Sequence, residues 1–328
     1  MPELRSDPLS GHRTIVAGER SRRPGGAPSC APPEPIDTEK DPFAAGHEDR
    51  TPPELHAVRP GGGAADTGGW TVRVVPNLYP ALEPATDEPR GPEPLREDLF
   101  VSTPATGAHE VIVNGPQSVL SLAELPVEQV VAAVEVWRQR MRAHSASAYL
   151  QLIVNERREA GASLPHTHAQ LYALDFVPAT VARERERSGA YTTRTMGQSL
   201  LGDLVAEEVR RGERIVAIDE EAVLIAPYAS RLPFQLMLAP RTPRARFQDD
   251  GPLGARLLHD GLCRLARHLG SSPPLNLWVR TAPRGAEDFC WRIDVLPRLT
   301  HLAGLELSTD VNLNIVAPEH AAELLRSA

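Results

Sequence analysis

Apolar and β-branched residues alternate with polar ones in several short segments, a pattern that is typical of half-buried β-strands. These segments are WTVRVV from residue 70, HEVIVN from 109, AYLQLIVN from 148, AQLYAL from 169, RIVAI from 214, PFQLMLA from 233, NLWVRT from 276 and VNLNIV from 311. Their number and composition predict a mainly antiparallel sheet.

Three further segments repeat apolar residues at helical spacing instead. In residues 126–144, one face of the predicted helix carries five apolar side chains: Val127, Val130, Val131, Val134 and Met141. Residues 251–269 form a second amphipathic segment, and a third, which has Pro318 in its first turn, closes the chain. Strands followed by a helix thus occur in each half, which predicts an α+β protein made of two related halves.

Two stretches, residues 24–69 and 83–94, are rich in proline and glycine. This composition favours irregular chain over helices and strands. We predict that the first stretch is a long irregular excursion and not a packed element.

The composition, 328 residues of which 41% are hydrophobic, allows one large core or two ordinary ones. No apolar run approaches the ~18 residues that a membrane span needs, and the N-terminus has no signal-peptide-like hydrophobic region. We therefore expect a cytoplasmic protein without a membrane partner. The cysteines, Cys30, Cys263 and Cys290, are widely spaced, which predicts neither a disulfide framework nor a zinc-thiolate site.

The net charge of -8 argues against a nucleic-acid partner. Almost all of the basic residues are arginines, since Lys40 is the one lysine. The planar guanidinium fork fits phosphate, so local arginine clusters can still bind one small phosphorylated ligand.

The segment HTHAQ, residues 166–170, follows directly on a short loop formed by residues 161–163. Side chains alternate along a strand, so His166, His168 and Gln170 share one face. These three polar groups are expected to line one wall of a pocket.

Three interpretations of this wall compete. A polar strand of this kind can arise by chance, and two imidazoles at positions i and i+2 can also bind one Zn²⁺, although no cysteine or carboxylate cluster stands nearby. The third interpretation is nucleophilic catalysis at phosphorus, in which a neutral histidine attacks a phosphoryl group. In that case backbone N–H groups of the 161–163 loop and the amide of Gln170 would stabilise the phosphoryl oxygens.

Asn155, the loop at 161–163 and the His-x-His-x-Gln motif together resemble the signature of the galactose-1-phosphate uridylyltransferase family, a branch of the histidine-triad superfamily. Further segments resemble this family: DPLSGHRTIVAGERSRRP from residue 7, TPPE from 51, VVPNLYPAL from 74, RLPFQLMLAPR from 231 and WRIDVLPRLTHLAG from 291. The resemblance implies two histidine-triad-like halves, residues 1–190 with the catalytic motif and residues 191–328. They would form an open antiparallel half-barrel with flanking helices.

The resemblance also implies an activity. Family members move a nucleoside monophosphate from a nucleotide sugar to a sugar 1-phosphate in two steps through a nucleotidyl-histidine, usually as homodimers. The second histidine of the motif is the nucleophile, which implies His168 here, with His166, Gln170 and Asn155 as further catalytic residues. A glutamine can act as neither acid nor base, so Gln170 favours transfer over hydrolysis.

A hydrogen bond from one ring nitrogen of His168 to a backbone carbonyl would leave the lone pair of the other nitrogen aimed at phosphorus. The resemblance implies six substrate-binding residues: Arg20, Arg23, Asn77, Gly161, Ala162 and Ser163. The two arginines would contact phosphate, as strong charge-assisted pairs, or else lie on a solvated basic turn. Asn77 would lie near the nucleoside or else cap a turn.

Zinc-binding members carry a CPFC segment, a downstream histidine and the first histidine of the motif as ligands. This chain has DPFA in the corresponding place, so that Asp41, Ala44 and Gln117 stand at ligand positions. We therefore expect no zinc and no other cofactor. The nearby His47 and His56 keep a remodelled metal site open.

In the second half, CWRID stands where relatives carry HWHIE, so Arg292 replaces a histidine and Cys290 is expected to be a buried small residue. Two alternatives to the transferase stay open: a nucleotide-sugar phosphorylase, which accepts inorganic phosphate, and a non-catalytic nucleotide-sugar binding protein. The base, the sugar and the acceptor stay open as well.

Overall fold

The computed structural model describes residues 1–22, 28–84 and 99–328. Within these ranges the chain forms thirteen strands and six α-helices, joined by loops and short 3-10 helices. In chain order, the strands are β1 (Glu3–Ser6), β2 (Arg13–Val16), β3 (His56–Val58), β4 (Val72–Pro76), β5 (Gly107–Val113), β6 (Tyr149–Glu156), β7 (His168–Leu174), β8 (Ile215–Ile218), β9 (Ala222–Ile225), β10 (Leu236–Pro240), β11 (Leu275–Arg280), β12 (Arg292–Pro297) and β13 (Val311–Asn314).

The helices are α1 (Val127–Ala143), α2 (Ala179–Arg194), α3 (Leu200–Arg211), α4 (Ala255–Leu269), α5 (Gly304–Thr309) and α6 (Pro318–Arg326). The predictions of α1, α4 and α6 are confirmed, whereas α2, α3 and α5 were not predicted. The start and end of α3 have clear local causes. Ser199 caps its first turn by accepting a hydrogen bond from the Gly202 amide, and Gly212 ends it in a left-handed conformation with φ 71°.

Ten of the strands form one open sheet in the order β3-β4-β5-β7-β6-β11-β12-β10-β9-β8, with every neighbouring pair antiparallel. The order β3-β4-β5-β7-β6 recurs in the second half as β8-β9-β10-β12-β11, and the pairing of β6 with β11 joins the two. This confirms the predicted α+β fold with two related halves and an open antiparallel sheet. The division at residue 190, which lies within α2, stays a prediction.

A second, three-stranded sheet has the order β1-β2-β13. Its last strand had been assigned to the main sheet, but β13 instead runs parallel to β2, with Leu313 opposite Ile15. Alternation along a strand indicates that it pairs but not with which partner, so the sequence pattern did not distinguish β13 from the strands of the main sheet. The N-terminal strands β1 and β2 were not predicted.

The main core lies on one face of the ten-stranded sheet, under α1, α4 and α6. On β6 and β7, the residues that point into it include Leu152, Val154 and Leu171. In the second half, α3 covers the opposite face as well, where Leu201 and Val205 pack against side chains of β9 and β10. In the first half, the polar side chains of β7 point to this opposite face of the sheet.

Most of the described part of the proline- and glycine-rich excursion, residues 28–69, is irregular as predicted, but it contains the edge strand β3, and part of it is packed. Trp70 is buried, and its Nε1 donates a hydrogen bond to Glu48 Oε1 at 2.6 Å. The buried Arg73 of β4 donates to Thr51 Oγ1 and to Asp66 Oδ1, each at 2.7 Å. These bonds from two buried side chains fasten the excursion to the sheet, so the prediction that it is not packed was wrong.

Gly261 of α4 lies against β9, where a Cβ atom would stand 2.3 Å from Cδ2 of the buried Leu224. Gly261→Ala should therefore lower the free energy of unfolding by about 1–3 kcal/mol through overpacking, although alanine is a better helix former. The matched control is Gly304→Ala, because no atom lies within 4 Å of the added methyl group. Urea unfolding measures both, and equal stability of the two variants would contradict this packing.

Candidate active site

Strand β7 presents the predicted catalytic side chains on the face away from the helical core. Ala169 and Leu171 are fully buried in the core cluster, so His168 and Gln170 point to the other face. Hydrogen bonding to both neighbours fixes this register: Gln170 lies opposite Val111 of β5 and Ile153 of β6. The alternation predicted from the sequence is the one that the sheet uses.

His168 is held in one tautomer. Its Nδ1 lies 2.8 Å from the backbone oxygen of His166, and a carbonyl oxygen can only accept, so Nδ1 carries the proton. The Nε2 lone pair is therefore free. Burial lowers the pKa of His168, with the hydrogen bond to His166 opposing this in part. With 6% of its surface exposed and the Phe43 ring 5.2 Å away, His168 is a neutral imidazole near pH 7.

His166, directly before β7, is fully buried between two acceptors. Its Nδ1 lies 2.7 Å from Asp41 Oδ2 and its Nε2 lies 2.8 Å from the backbone oxygen of Gly115. Asp41 also accepts from Ser118 Oγ at 2.7 Å and from the Phe43 amide at 3.0 Å. Burial opposes ionisation of Asp41, but the bonds from His166 and Ser118 outweigh it, and its pKa lies below the usual range. The geometry is that of an imidazolium paired with a carboxylate.

Of the positions at which the resemblance implies zinc ligands, Asp41 and His166 are thus joined to each other by a hydrogen bond. Ala44 has no ligand atom, and both nitrogens of His166 are already bound. The side chain that joins the group is Ser118, whereas we had named its neighbour Gln117. In the part of the chain that the structure describes, no three potential metal ligands cluster. These residues do not fit a four-coordinate zinc ion.

Gln170 belongs to a hydrogen-bonded group that includes two residues we did not predict. Its Oε1 accepts from Tyr172 Oη and lies next to His109 Nε2, both at 3.0 Å. The rings of His109 and Tyr172 stack with centroids 4.0 Å apart. Asn77, predicted near the nucleoside, places Nδ2 3.1 Å from His109 Nε2, and its Oδ1 caps a turn at the Tyr79 amide. The sheet therefore brings Asn77 and Gln170 together through His109.

Asn155 is positioned by the second half of the chain. Asn276 of β11 donates from Nδ2 to Asn155 Oδ1 at 2.8 Å, and its own Oδ1 accepts from Arg298 Nη1 at 3.1 Å. Asn155 of β6 lies beside His168 of β7, because the ladder between these two strands pairs their chain neighbours, Val154 and Ala169. Sequence analysis missed Asn276 and Arg298, although a polar residue alternating with buried leucines on β11 was a usable indication.

The loop before the motif differs from the prediction. The amide of Gly161 donates to the Arg158 oxygen at 2.9 Å, and the amide of Ala162 to the Arg157 oxygen at 3.1 Å. Two of the three loop amides predicted for phosphate are therefore used inside the loop, because a tight turn, here with Gly161 at φ 92°, satisfies its own amides. Ser163 is exposed.

Arg20 lines a cavity whose lining includes no residue of the His-x-His-x-Gln motif. This cavity, of about 780 Å³, is also lined by Phe234, His268 and His320, in a region formed by the ends of the chain and α4. Arg23 lies outside the described residues. Phosphate contact by these arginines stays a prediction.

The second half has no counterpart of His168. Arg292 is the first residue of β12, which takes in this half the place that β7 takes in the first. It is buried and pairs with Glu184 of α2 and with Asp294, each at 3.0 Å. Cys290 is buried, as expected, and burial raises the pKa of its thiol to about 11. An ion pair thus fills the equivalent site.

Comparison with known proteins places the chain in a family. Residues 2–178 match the family model described as galactose-1-phosphate uridyl transferase, N-terminal domain. The chain belongs to the galactose-1-phosphate uridyl transferase family. Residues 120–327 also match a model described as a domain of unknown function. No helix in the described residues is long and apolar enough to cross a membrane.

The relatives that align with almost the whole of this chain include two kinds of enzyme. It is 28% identical to the ADP-glucose phosphorylase of Arabidopsis thaliana, over 99% of this chain and 92% of that protein. It is 25% identical to the galactose-1-phosphate uridylyltransferase of Thermotoga maritima, over 99% and 98%. The crystal structure of an Arabidopsis thaliana ADP-glucose phosphorylase with bound ADP-glucose is similar with a TM-score of 0.80 and 25% identity, covering 100% of this chain and 99% of that one.

Glu156, next to Asn155, is buried and accepts from Ser121 Oγ at 2.6 Å and from the Leu122 amide at 2.7 Å. Burial raises its pKa from 4.5 to about 7. The folded protein therefore keeps this proton where the unfolded chain has lost it. The resulting stability is present below pH 4.5 and is lost as the pH rises through about 7.

Glu156→Gln should remove the pH-dependent contribution of Glu156 to the free energy of unfolding. The free energy of unfolding of the variant, relative to that of wild type, should therefore increase between pH 5 and pH 8 by up to ~3 kcal/mol. Urea unfolding at both pH values measures this difference. Glu186→Gln, at an exposed position of α2, is the control and should follow wild type. Parallel pH profiles of wild type and Glu156→Gln would contradict the shifted pKa.

Proposed function

We propose that this protein is a nucleotidyltransferase that takes a nucleoside monophosphate from a nucleotide sugar through a covalent nucleotidyl-His168. The observation that carries the proposal is the state of His168: buried, neutral, and fixed by its Nδ1–H bond to the His166 oxygen so that the Nε2 lone pair is free. This is the state that a histidine nucleophile requires. Family membership supports the same chemistry.

In the first step, His168 Nε2 attacks the α-phosphorus of the nucleotide sugar. The N–P bond forms while the bond from phosphorus to the bridging oxygen breaks, and the sugar 1-phosphate leaves with that electron pair. In the second step, an oxygen of the acceptor phosphate attacks the same phosphorus. The N–P bond then breaks and its electrons return to Nε2, so His168 is neutral again.

The surrounding groups match the charges that these steps create. When Nε2 is bound to phosphorus, positive charge spreads over the ring to Nδ1–H, where the His166 oxygen stabilises it. The Asp41–His166 pair keeps the main chain of His166, and hence this oxygen, in place. The amides of Gln170 and Asn155 supply neutral donors for the phosphoryl oxygens.

The second substrate, which accepts the nucleoside monophosphate, distinguishes two possible reactions. A sugar 1-phosphate as acceptor gives uridylyltransferase chemistry, and inorganic phosphate gives a nucleotide-sugar phosphorylase. Similarity over 99% of the chain to an ADP-glucose phosphorylase makes ADP-glucose with phosphate the second candidate, with ADP and glucose 1-phosphate as products. A non-catalytic binding protein would have no use for a nucleophile held in one tautomer. We propose a homodimer, as the family resemblance implies.

His168→Asn should abolish turnover, by more than about 10³-fold, because no other residue supplies the nucleophile. The test is intact-protein mass spectrometry after incubation with ADP-glucose, UDP-glucose or UDP-galactose without acceptor. Wild type is expected to gain the mass of one nucleoside monophosphate, which names the base, and His168→Asn is expected to gain none. The control, His320→Asn on the exposed side of α6, should gain the same mass as wild type.

Turnover by a folded His168→Asn variant would show that His168 is not the nucleophile. A wild-type protein that binds a nucleotide sugar but neither forms the adduct nor turns it over would identify the binding protein instead.

We propose further that the protein works without zinc, because Asp41, His166 and Ser118 satisfy one another by hydrogen bonds. Elemental analysis of the purified protein should find zinc far below one atom per chain. Dialysis against a chelator should leave both the melting temperature and turnover unchanged. A loss of either that added zinc restores would contradict this proposal.

A further inference from the structure

His109 of β5 is fixed in one tautomer by a backbone amide. The amide of Ala81 donates to His109 Nδ1 at 3.2 Å, and since an amide can only donate, Nδ1 carries no proton. Burial disfavours the imidazolium, and it lowers the pKa of His109. The single proton of the neutral ring is therefore on Nε2, which lies 3.0 Å from Gln170 Oε1.

This assignment saturates the side-chain oxygen of Gln170. Its two lone pairs accept from His109 Nε2–H and from Tyr172 Oη–H, each at 3.0 Å. The stacked rings, 25° from parallel, hold both donors in place. The Nε2 amide group of Gln170 has no recorded acceptor among the described residues, so its two N–H bonds are available to a ligand.

A flipped Gln170 amide would be unfavourable here. It would turn its NH₂ group towards His109 Nε2–H, which can only donate, and lose that hydrogen bond, so that only the Tyr172 hydroxyl could still pair with the amide. It would also turn a carbonyl oxygen, with its partial negative charge, towards the phosphoryl oxygens of a bound nucleotide.

We propose that His109, assisted by Tyr172, is a positioning residue that fixes the Gln170 amide so that its N–H groups face the phosphoryl group being transferred. This inference rests on the proposed function. His109 acts through Gln170 and does not itself contact the phosphoryl group. The approach of Asn77 Nδ2 to His109 Nε2, at 3.1 Å, is then not a hydrogen bond, because both atoms carry hydrogen.

The tautomer can be observed directly. Nitrogen chemical shifts of the histidine rings distinguish an Nε2–H tautomer from an Nδ1–H tautomer or an imidazolium, and the His109→Gln variant assigns the His109 signal. We expect Nε2–H at pH 7 without any ligand. An Nδ1–H tautomer, in which Nε2 would accept from Asn77, or an imidazolium would overturn the proposal.

The consequence for catalysis is tested by a double-mutant cycle. His109→Leu should lower kcat about 10-fold or more, with a smaller change in KM, because ground-state binding uses further contacts. In a Gln170→Ala background the same substitution should change kcat less than about 2-fold, since there is no amide left to orient. A merely structural role would lower kcat equally in both backgrounds, and that result would overturn the proposal.

Two matched variants sharpen the cycle. His109→Gln places an N–H donor at the reach of the imidazole Nε2 and should keep most of the kcat that His109→Leu loses. Tyr172→Phe removes one of the two donors but keeps the stacked ring, so it should have a smaller effect than His109→Leu. An effect of His109→Gln as large as that of His109→Leu would overturn the proposal.

Failure of the proposed function gives a different result. If wild type turns over none of the donors, nucleotidyl transfer is wrong, and the cycle is then measured as ADP-glucose binding by calorimetry. Coupling between positions 109 and 170 in that affinity would retain the orienting role, and additive effects would reject it. The tautomer measurement needs neither turnover nor ligand.

Discussion

Alternation of side chains along β7 is the constraint on which the rest of the site depends. Ala169 and Leu171 fill the core under the helices, and this forces His168 and Gln170 onto the opposite face. A shift of the strand by one residue would bury the polar side chains and expose the apolar ones. Ladders to β5 on one side and β6 on the other prevent such a shift, so packing of the core also sets the direction of the proposed catalytic groups.

The two halves share a strand order but carry different side chains at equivalent positions. The first half carries a neutral histidine at the start of β7, and the second carries a buried arginine at the start of β12. Arg292 is surrounded by carboxylates and holds α2 to the sheet, which is a structural use of the equivalent position. The second half nevertheless reaches the catalytic strands, because β11 pairs with β6 and brings Asn276 to Asn155.

The buried polar side chains at this site form two groups, and within each group the side chains hydrogen-bond to one another. Asp41, His166 and Ser118 satisfy one another's hydrogen bonds, and His109 and Tyr172 satisfy the side-chain oxygen of Gln170. In surroundings of low polarity such groups are rigid when every donor has an acceptor and costly when one is missing. Both groups of side chains fix orientation, one through the backbone oxygen that holds His168 and the other through the Gln170 amide, which we propose faces the ligand.

The sequence by itself determined the elements with a clear period, such as β4 to β7 and the helices α1, α4 and α6, and it located His168 and Gln170 of the His-x-His-x-Gln motif on a strand. Hydrophobic period is a local property, so it can be read without the fold. Strands β9 and β12 are buried on both faces and show little alternation, and α2 has few apolar residues, so these elements escaped prediction. Only the tertiary structure decided that His109 reaches Gln170, that Ser118 and not Gln117 joins Asp41, and that Arg20 lines a cavity that His168 does not line. These contacts join residues far apart in the chain, and strand order, which no local pattern encodes, determines which of them meet.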